Sequence, residues 1–570
     1  MIHAIAIAPV ITPYLIFPTL VSVAPTLDSP RPAANATVAN PAPVPVAVLP
    51  TILTAVFLGS AAVMLFFNWR LRFDLADDAY IHLRIAHNLL RTGHPYFNPG
   101  EPVMVTSSPV WTLLLAFNEL LFGSRNNLWA WNAVLVGVAA SASYRLAWFH
   151  VGSLSKTYKV AALLLPVTVM ACLANSYWGM ETALAIALLL LAVVAFLKSS
   201  PWALPLLTFA AFTRYELAGA LAVAGVICLA TRTGRRYGAA PASVIAGILA
   251  AWLFKEFGTI IPNAVAAKSR VYAVPIHVIW TSLLPKPFIL SDAENLLLLL
   301  GLGLVGSWAA DPLRHRGRRE PVRLASLALM IGGISLLLLY VACRTFIFPW
   351  YVALVQCPVL VGALSVTAID HSWRRRIAAL ILLPILFLNV FVSPTKIAIA
   401  SMALRPAGAP LLNESRRVHV YLSAGALLHQ ACPQSELMTS EIGALGYSFQ
   451  GYVSDGVGIA SPGALKYHPM AVPQERSDPS FGAIPPRFVR DRKPDLIFTY
   501  DIYAEAVTAS PEIHAAYDDL RFYPVLKSET QGNLAPVWGA RTLHVFVKKA
   551  GGCDAAQIND VLSAILVPKN

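Results

Sequence analysis

Asp77-Asp78-Ala79-Tyr80-Ile81-His82-Leu83-Arg84-Ile85-Ala86-His87-Asn88, continuing through Phe97-Asn98-Pro99-Gly100-Glu101 to Thr106-Ser107-Ser108-Pro109, is the stretch on which the fold turns. It is polar, opens on two adjacent carboxylates and follows directly on an apolar run at 49–68. Ionisable groups are costly to desolvate in a bilayer, so a cluster kept at the edge of apolar segments points to a functional site. Composition supports a membrane setting. Of 570 residues, 57% are hydrophobic and 13% charged, and the mean hydropathy is +0.61. These values lie outside the range of ordinary soluble domains.

The formal charge of +13 does not indicate nucleic acid, because of where it sits. Residues 411–570 hold 14 Lys and Arg against 16 Asp and Glu, so the whole excess lies in residues 1–410. There it is concentrated in short loops between apolar runs, as the positive-inside rule expects. Six cysteines show no metal-ligand spacing; Cys172, Cys228, Cys343 and Cys357 read as packing residues in or beside apolar segments. Cys432 and Cys553 can pair if the C-terminal part is extracytoplasmic. Residues 1–48, with three prolines in an apolar run and then a Pro/Ala-rich linker, read as a poorly ordered or misassigned extension.

Apolar runs at 49–68, 128–148, 160–177, 181–197, 201–213, 216–231, 241–257, 294–310, 322–342, 350–368 and 376–393 predict about eleven transmembrane helices. The run at 110–122 is too short to cross and reads as an interfacial helix in the first external loop. The loops carrying Lys156/Lys159, Arg232/Arg235/Arg236, Arg314–Arg319 and Arg374–Arg376 are separated by even numbers of spans, so all four fit on one, cytoplasmic, side. The Asp77 loop, Gly179–Thr182, Thr213–Glu216, Pro262–Lys268, Arg344–Tyr351 and everything after 394 then face outward. Arg70 and Arg72 run against this assignment, four loops to one. Residues 49–395 form the membrane module. From 396 to 570 the pattern changes to short strands (437–440, 495–500, 543–547) and helical stretches such as 412–430, a small α/β domain.

An outward carboxylate with cations nearby suits sugar transfer from a lipid phosphate. A carboxylate takes the acceptor hydroxyl's proton, and Arg or Lys stabilises the departing phosphate. Asp77 and Asp78 are the candidates for the base, and Arg84, Arg214, Lys268, Arg270 and Arg344 for the phosphate. The sequence carries no P-loop or dinucleotide fingerprint, which favours a lipid-linked donor over a soluble nucleotide sugar. His82, His87 and His94 fit no recognised metal pattern; no cofactor is expected beyond a possible divalent cation near Asp77.

The run from Asp77 through Phe97-Asn98-Pro99-Gly100-Glu101 to Thr106-Ser107-Ser108-Pro109-Val110-Trp111 resembles the first external loop of GT-C-type integral-membrane glycosyltransferases, in particular the mycobacterial terminal arabinofuranosyltransferase branch. Gly179–Thr182, Thr213–Glu216, Pro262–Ser269, Ile442–Tyr447 and Asp455–Gly458 are similar to later motifs of that branch, in matching order over about residues 50–465. The resemblance implies a helical bundle with interfacial helices in that loop and the catalytic carboxylate in the Asp77-Asp78 pair, with Asp77 slightly favoured. It implies substrate contacts from Tyr80, Asn98, Glu101, Glu181, Glu216, Asn263 and Tyr351. The partners would be a polyprenyl-phosphate sugar, a glycan or lipid acceptor and the bilayer of a bacterial inner membrane, with site and C-terminal domain facing the periplasm. Tyr215, where the family more often has Pro, and Val265-Ala266, in place of an aromatic, put the sugar in question.

Plainer roles exist for each residue. The Asp pair can cap the helix beginning at Ala79, Glu181 and Glu216 can pair with an arginine, and Lys268 and Arg270 can anchor at the interface. Arg344 precedes Phe346, Phe348, Trp350 and Tyr351, an aromatic group equally expected of an interfacial belt. A flippase of lipid-linked glycans or a non-catalytic assembly partner are the alternatives to an enzyme; a flippase predicts mid-membrane charges and internal repeats.

Overall fold

Two helices carry the membrane character: α1 (Val48–Arg70) and, later in the chain, Ala239–Phe257. Both are long and apolar enough to cross a bilayer, with hydropathies of 2.0 and 1.4. They turn their apolar side chains outward, Leu58 and Phe66 on the first, Val244, Ile248 and Phe254 on the second. In water such surface aggregates; against acyl chains it costs nothing. A computed structural model describes residues 48–123, 127–151, 165–173, 179–273, 320–345, 351–358, 413–470, 483–530 and 539–569, with single positions beside them. The spans expected at 294–310 and 376–393, most of 350–368, the loops at Lys156/Lys159, 314–319 and 374–376, and residues 1–47 lie outside the described residues.

Between these two helices come α2 (Asp77–Thr92), α3 (Pro109–Phe122), α4 (Leu128–Val151), α5 (Leu165–Cys172), α6 (Thr182–Leu197), α7 (Ala203–Thr213) and α8 (Ala218–Ala230). The helix at Ala239–Phe257 is α9, followed by α10 (Asn263–Val271) and α11 (Glu320–Ala342). Among the described residues two helices have both the length and the hydropathy to cross, and several of the expected spans lie outside them. Some of the shorter helices have a local cause. At 1.5 Å per residue α6 and α7 rise about 24 and 16 Å, short of a core of about 30 Å, because polar motifs interrupt the apolar runs. The 14 residues of α3 likewise rise only about 21 Å, and its outer face exposes Phe117, Leu120, Leu121 and Phe122.

The two ends of this bundle differ chemically. At one end the 198–202 and 231–238 turns meet, where Leu204 N donates to Tyr237 O at 3.0 Å. Gly238 has φ +80°, and a Cβ there would lie 1.8 Å from Pro201 O, so the crossing admits only glycine. Arg232, Arg235 and Arg236 are exposed here. The other ends of α6 and α7 carry Glu181 and Arg214.

After α12 (Asn413–Ala431) the chain builds a sheet from β1 (Glu436–Thr439), β2 (Tyr452–Asp455), β3 (Leu496–Tyr500), β4 (Tyr517–Leu526), β5 (Leu543–Lys548) and β6 (Leu566–Pro568). The order is β2-β1-β3-β5-β4-β6, parallel across the first three and antiparallel beyond. Strand alternation sorts the side chains: Leu437, Leu496 and Phe498 face one layer, Met438, Ile497 and Phe546 the other. The second layer is closed by α14 (Pro486–Arg492), α15 (Asp501–Thr508) and α16 (Pro511–Ala516). The first contains α12, α13 (Gly443–Phe449) and a helix at Ala555–Ile565, and it also takes in Tyr80, Leu83 and Phe97 of the segment that follows α1. A single apolar core thus joins that segment to the sheet domain, and Cys432 and Cys553 are disulfide-bonded within it, Cα atoms 5.8 Å apart.

Candidate functional site

Successive residues of an α-helix point 100° apart, so Asp77 and Asp78 cannot serve the same neighbour. On α2 the residues Asp77, Tyr80, Arg84 and Asn88 share one face, and Asp78 and His82 another. The first face meets the C-terminal domain. Asp77, buried, accepts N–H bonds from Gly443 (2.9 Å) and Ala444 (2.7 Å). Burial, reinforced by Glu441 and Asp78, pushes its carboxyl up to about 7, against the pull of the Ala444 N–H and Arg417. Tyr80 lies against the Tyr447 ring, centroids 5.4 Å apart.

Arg84 is buried and its donors go to carbonyls and an amide: Phe97 O (2.8 Å), Gly446 O (2.5 Å), Gly451 O (2.7 Å) and Asn98 Oδ1 (3.2 Å). Burial lowers its guanidinium to about 9. Asn98 pairs with both main-chain groups of Val453, at 2.9 and 3.1 Å. Glu101 accepts from the Tyr452 hydroxyl at 2.5 Å. Asn263, at the start of α10, donates to Gly458 O and Ile459 O, each at 2.7 Å, and Arg270 reaches Leu465 O at 3.3 Å. Five of the residues expected on substrate or phosphate (Arg84, Asn98, Glu101, Asn263 and Arg270) are therefore engaged with the sheet domain. Arg344 is exposed at the left-handed turn ending α11.

The second face of α2 looks onto a different group. Arg214, between α7 and a short turn at Tyr215–Leu217, is gripped by two carboxylates: Glu181 Oε1 lies 2.5 Å from Nη1, and Glu216 takes Nε (3.0 Å) and Nη2. Its guanidinium carbon stands 4.1 Å from the centre of the Tyr351 ring. Lys268 on α10 donates to the Tyr351 hydroxyl at 3.2 Å and sits 5.5 Å from the Phe348 ring. Tyr272, one turn further along, packs edge-on against Phe348. His82 holds the hydroxyls of Thr106 (3.1 Å) and Thr112 (3.4 Å) through Nδ1, and its Nε2 lies 3.7 Å from Glu181. Burial holds the imidazole below its ordinary value, outweighing the pull of Glu181 and Asp78.

Asp78 and Lys268 are half-buried, as are Glu216, Tyr272 and Phe348, whereas Glu181, Arg214 and Tyr351 are buried. Among the described residues nothing hydrogen-bonds the Asp78 carboxylate. Burial opposes the Lys268 charge, but Tyr351 and Asp78 outweigh it and hold the ammonium above its ordinary value. Asp78 also acts on Tyr272. Glu181, Arg214, Glu216, Lys268 and Tyr351, distant in sequence, thus form one group. Among the described residues no group of three or more His, Cys, Asp or Glu side chains forms a metal-binding set, and both Asp77 oxygens already accept N–H groups.

Tyr272 and Glu441 were not singled out from sequence, and His82 was weighed there only as a metal ligand. His82 and Tyr272 had a signal, since each lies four residues, one helical turn, beyond Asp78 or Lys268. Glu441, bonded to Arg417 (3.0 Å) and the Tyr421 hydroxyl (2.9 Å), stands just before the Ile442–Tyr447 motif.

No family model matches the chain, and no curated protein matches it in sequence. Among solved structures it is similar to ArnT from Cupriavidus metallidurans bound to undecaprenyl phosphate, with 12% identity and a TM-score of 0.47, over 88% of this chain and 99% of that one. A likeness of that degree leaves the chemistry to be read from the residues themselves.

Proposed function

We propose that this chain is a GT-C-type membrane glycosyltransferase. It moves a pentose or hexose from a polyprenyl-phosphate donor to a hydroxyl of a cell-envelope glycan or lipid, at the outer face of the bacterial inner membrane. The observation that carries this reading is that Asp78 shares with His82 the face of α2 that looks onto Glu181, while Lys268, half-buried like Asp78 and within its electrostatic reach, sits over the Tyr351 and Phe348 rings. The acceptor oxygen attacks the anomeric carbon while Asp78 takes its proton. The bond from that carbon to the phosphate oxygen breaks, its electron pair leaves with the polyprenyl phosphate, and the Lys268 charge stabilises the leaving group. A single displacement of this kind inverts the anomeric centre. Arg214, already neutralised by Glu181 and Glu216, acts by holding the Tyr351 ring under Lys268.

The test is release of polyprenyl phosphate from a panel of polyprenyl-phosphate sugars by the purified protein in lipid nanodiscs. Asp78→Asn should bind donor yet lose transfer by roughly 10²–10⁴-fold, the usual range for a general base. Transfer retained in Asp78→Asn would sink this mechanism.

A further inference from the structure

The residue next to the proposed base does something the reaction does not ask for. We infer that Asp77 is a positioning residue: by clasping residues 443 and 444 of the sheet domain it fixes the rotation of α2 that turns Asp78, with His82, to the face looking onto Glu181. The role rests on the reading of Asp78 as the base; the clasp itself does not.

Four observations support it. Both Asp77 oxygens are committed to main-chain N–H groups 366 and 367 residues away in sequence. The partner segment is shaped to admit α2: a Cβ on Gly443 would stand 1.9 Å from the Asp77 carbonyl oxygen, and one on Gly446 would press on Arg84 and Phe97. The segment is held from behind, since Glu441, two residues earlier, is bonded to Arg417 and Tyr421 of α12. Two turns further along the same face Arg84 takes Gly446 O and Gly451 O, so α2 is pinned at two levels and cannot rotate about one.

The consequence for Asp78 is geometric. Its carboxylate stands about 6 Å from the α2 axis, so a rotation of about 20° displaces it by about 2 Å. Misplacements near 1 Å can cost about 10²-fold in rate. Asp77 therefore acts on the reaction without touching substrate.

The test combines transfer kinetics with amide hydrogen exchange of the full-length protein in nanodiscs. Asp77→Ala and Gly443→Ala should each lower kcat by roughly 10²-fold and speed exchange at residues 443–453. Asp77→Asn keeps one acceptor oxygen and should stay within about tenfold of the parent, a rescue that a proton-accepting carboxylate would not show. Asp78→Asn should abolish transfer and leave exchange at 443–453 unchanged. The inference is overturned if Asp77→Asn is as inactive as Asp78→Asn with exchange unaltered, for Asp77 would then be the base. It is overturned equally if Asp77→Ala leaves exchange and kcat as they were. Full transfer by Asp78→Asn would remove the base reading alone, and exchange in the Asp77 and Gly443 variants would still decide the clasp.

Discussion

Replacing Arg84 by Met removes a side chain with four hydrogen bonds, two of them to the sheet domain, while keeping an aliphatic stem against Phe97. The guanidinium carbon now stands 4.3 Å from that ring. The loss divides unevenly among its four partners. Phe97 O keeps a bond from Asn88 Nδ2 (3.0 Å), Gly446 O keeps its helical bond from Gln450 N (3.1 Å), and Asn98 Oδ1 keeps Val453 N (3.1 Å). Gly451 O loses the bond that Arg84 gave it. One stranded carbonyl costs about 1–3 kcal/mol, and the charge-assisted bonds given up elsewhere bring the total to about 3–5 kcal/mol. Relief from burying the cation, whose guanidinium is already lowered to about 9, keeps the figure from being larger. Local opening at 443–453 should then become roughly 10²–10⁴-fold more frequent, read directly as faster amide exchange at Ala444 and Val453. Exchange within about fivefold of the parent would refute the claim that Arg84 holds the two parts together. It would return Arg84 to the pool of cations open to a phosphate.

Other outcomes follow from the same geometry. Lys268→Gln should reduce transfer by roughly 10²-fold, since a point charge near a leaving phosphate is worth about 4 kcal/mol at an effective dielectric near 20 before desolvation. Lys268→Arg should recover part of it, and chelation by EDTA should leave the parent unchanged. A loss on chelation restored by magnesium or manganese would instead put a divalent cation beside Asp78. For pH, the Asp77 carboxyl is raised in the folded state from 3.8 to about 7, faced by Glu441, Asp78 and Arg417. A raised carboxyl favours folding in acid and loses that favour as pH climbs through the folded value. Relative to Asp77→Asn, the parent should therefore lose stability, on the order of a few kcal/mol, between about pH 4 and pH 7 and level off above. Asp455, raised to about 6, adds a slope of the same sign, so the comparison must be made against Asp77→Asn. A difference that grows more favourable to the parent with rising pH would contradict the burial argument. The Cys432–Cys553 bond closes a separation of 121 residues. Its removal by Cys432→Ser should cost about 2–5 kcal/mol, seen as earlier thermal unfolding of the sheet domain.

Much of this architecture was legible in the residues. Apolar runs and exposed basic loops marked a membrane protein, and strands at 437–440, 495–500 and 543–547 fall within a residue of β1, β3 and β5. The too-short run at 110–122 is α3, a helix of 14 residues. The span count was less readable. A hydropathy pattern cannot tell a crossing helix from a short one that stops at a polar site, and α6 and α7 end at Glu181 and Arg214.

By itself the sequence determined which residues are polar inside an apolar chain, and their order already grouped Asp77, Glu181, Arg214, Lys268 and Tyr351 on one face. It could not divide that group, because composition and order carry no information on contacts hundreds of residues apart. Only the tertiary structure turned Asp77, Arg84 and Asn98 toward the sheet domain and Asp78, with His82, to the face looking onto Glu181. The physical reason is the 100° step of the α-helix. Two neighbouring aspartates, equivalent in the chain, leave α2 in directions that serve different partners.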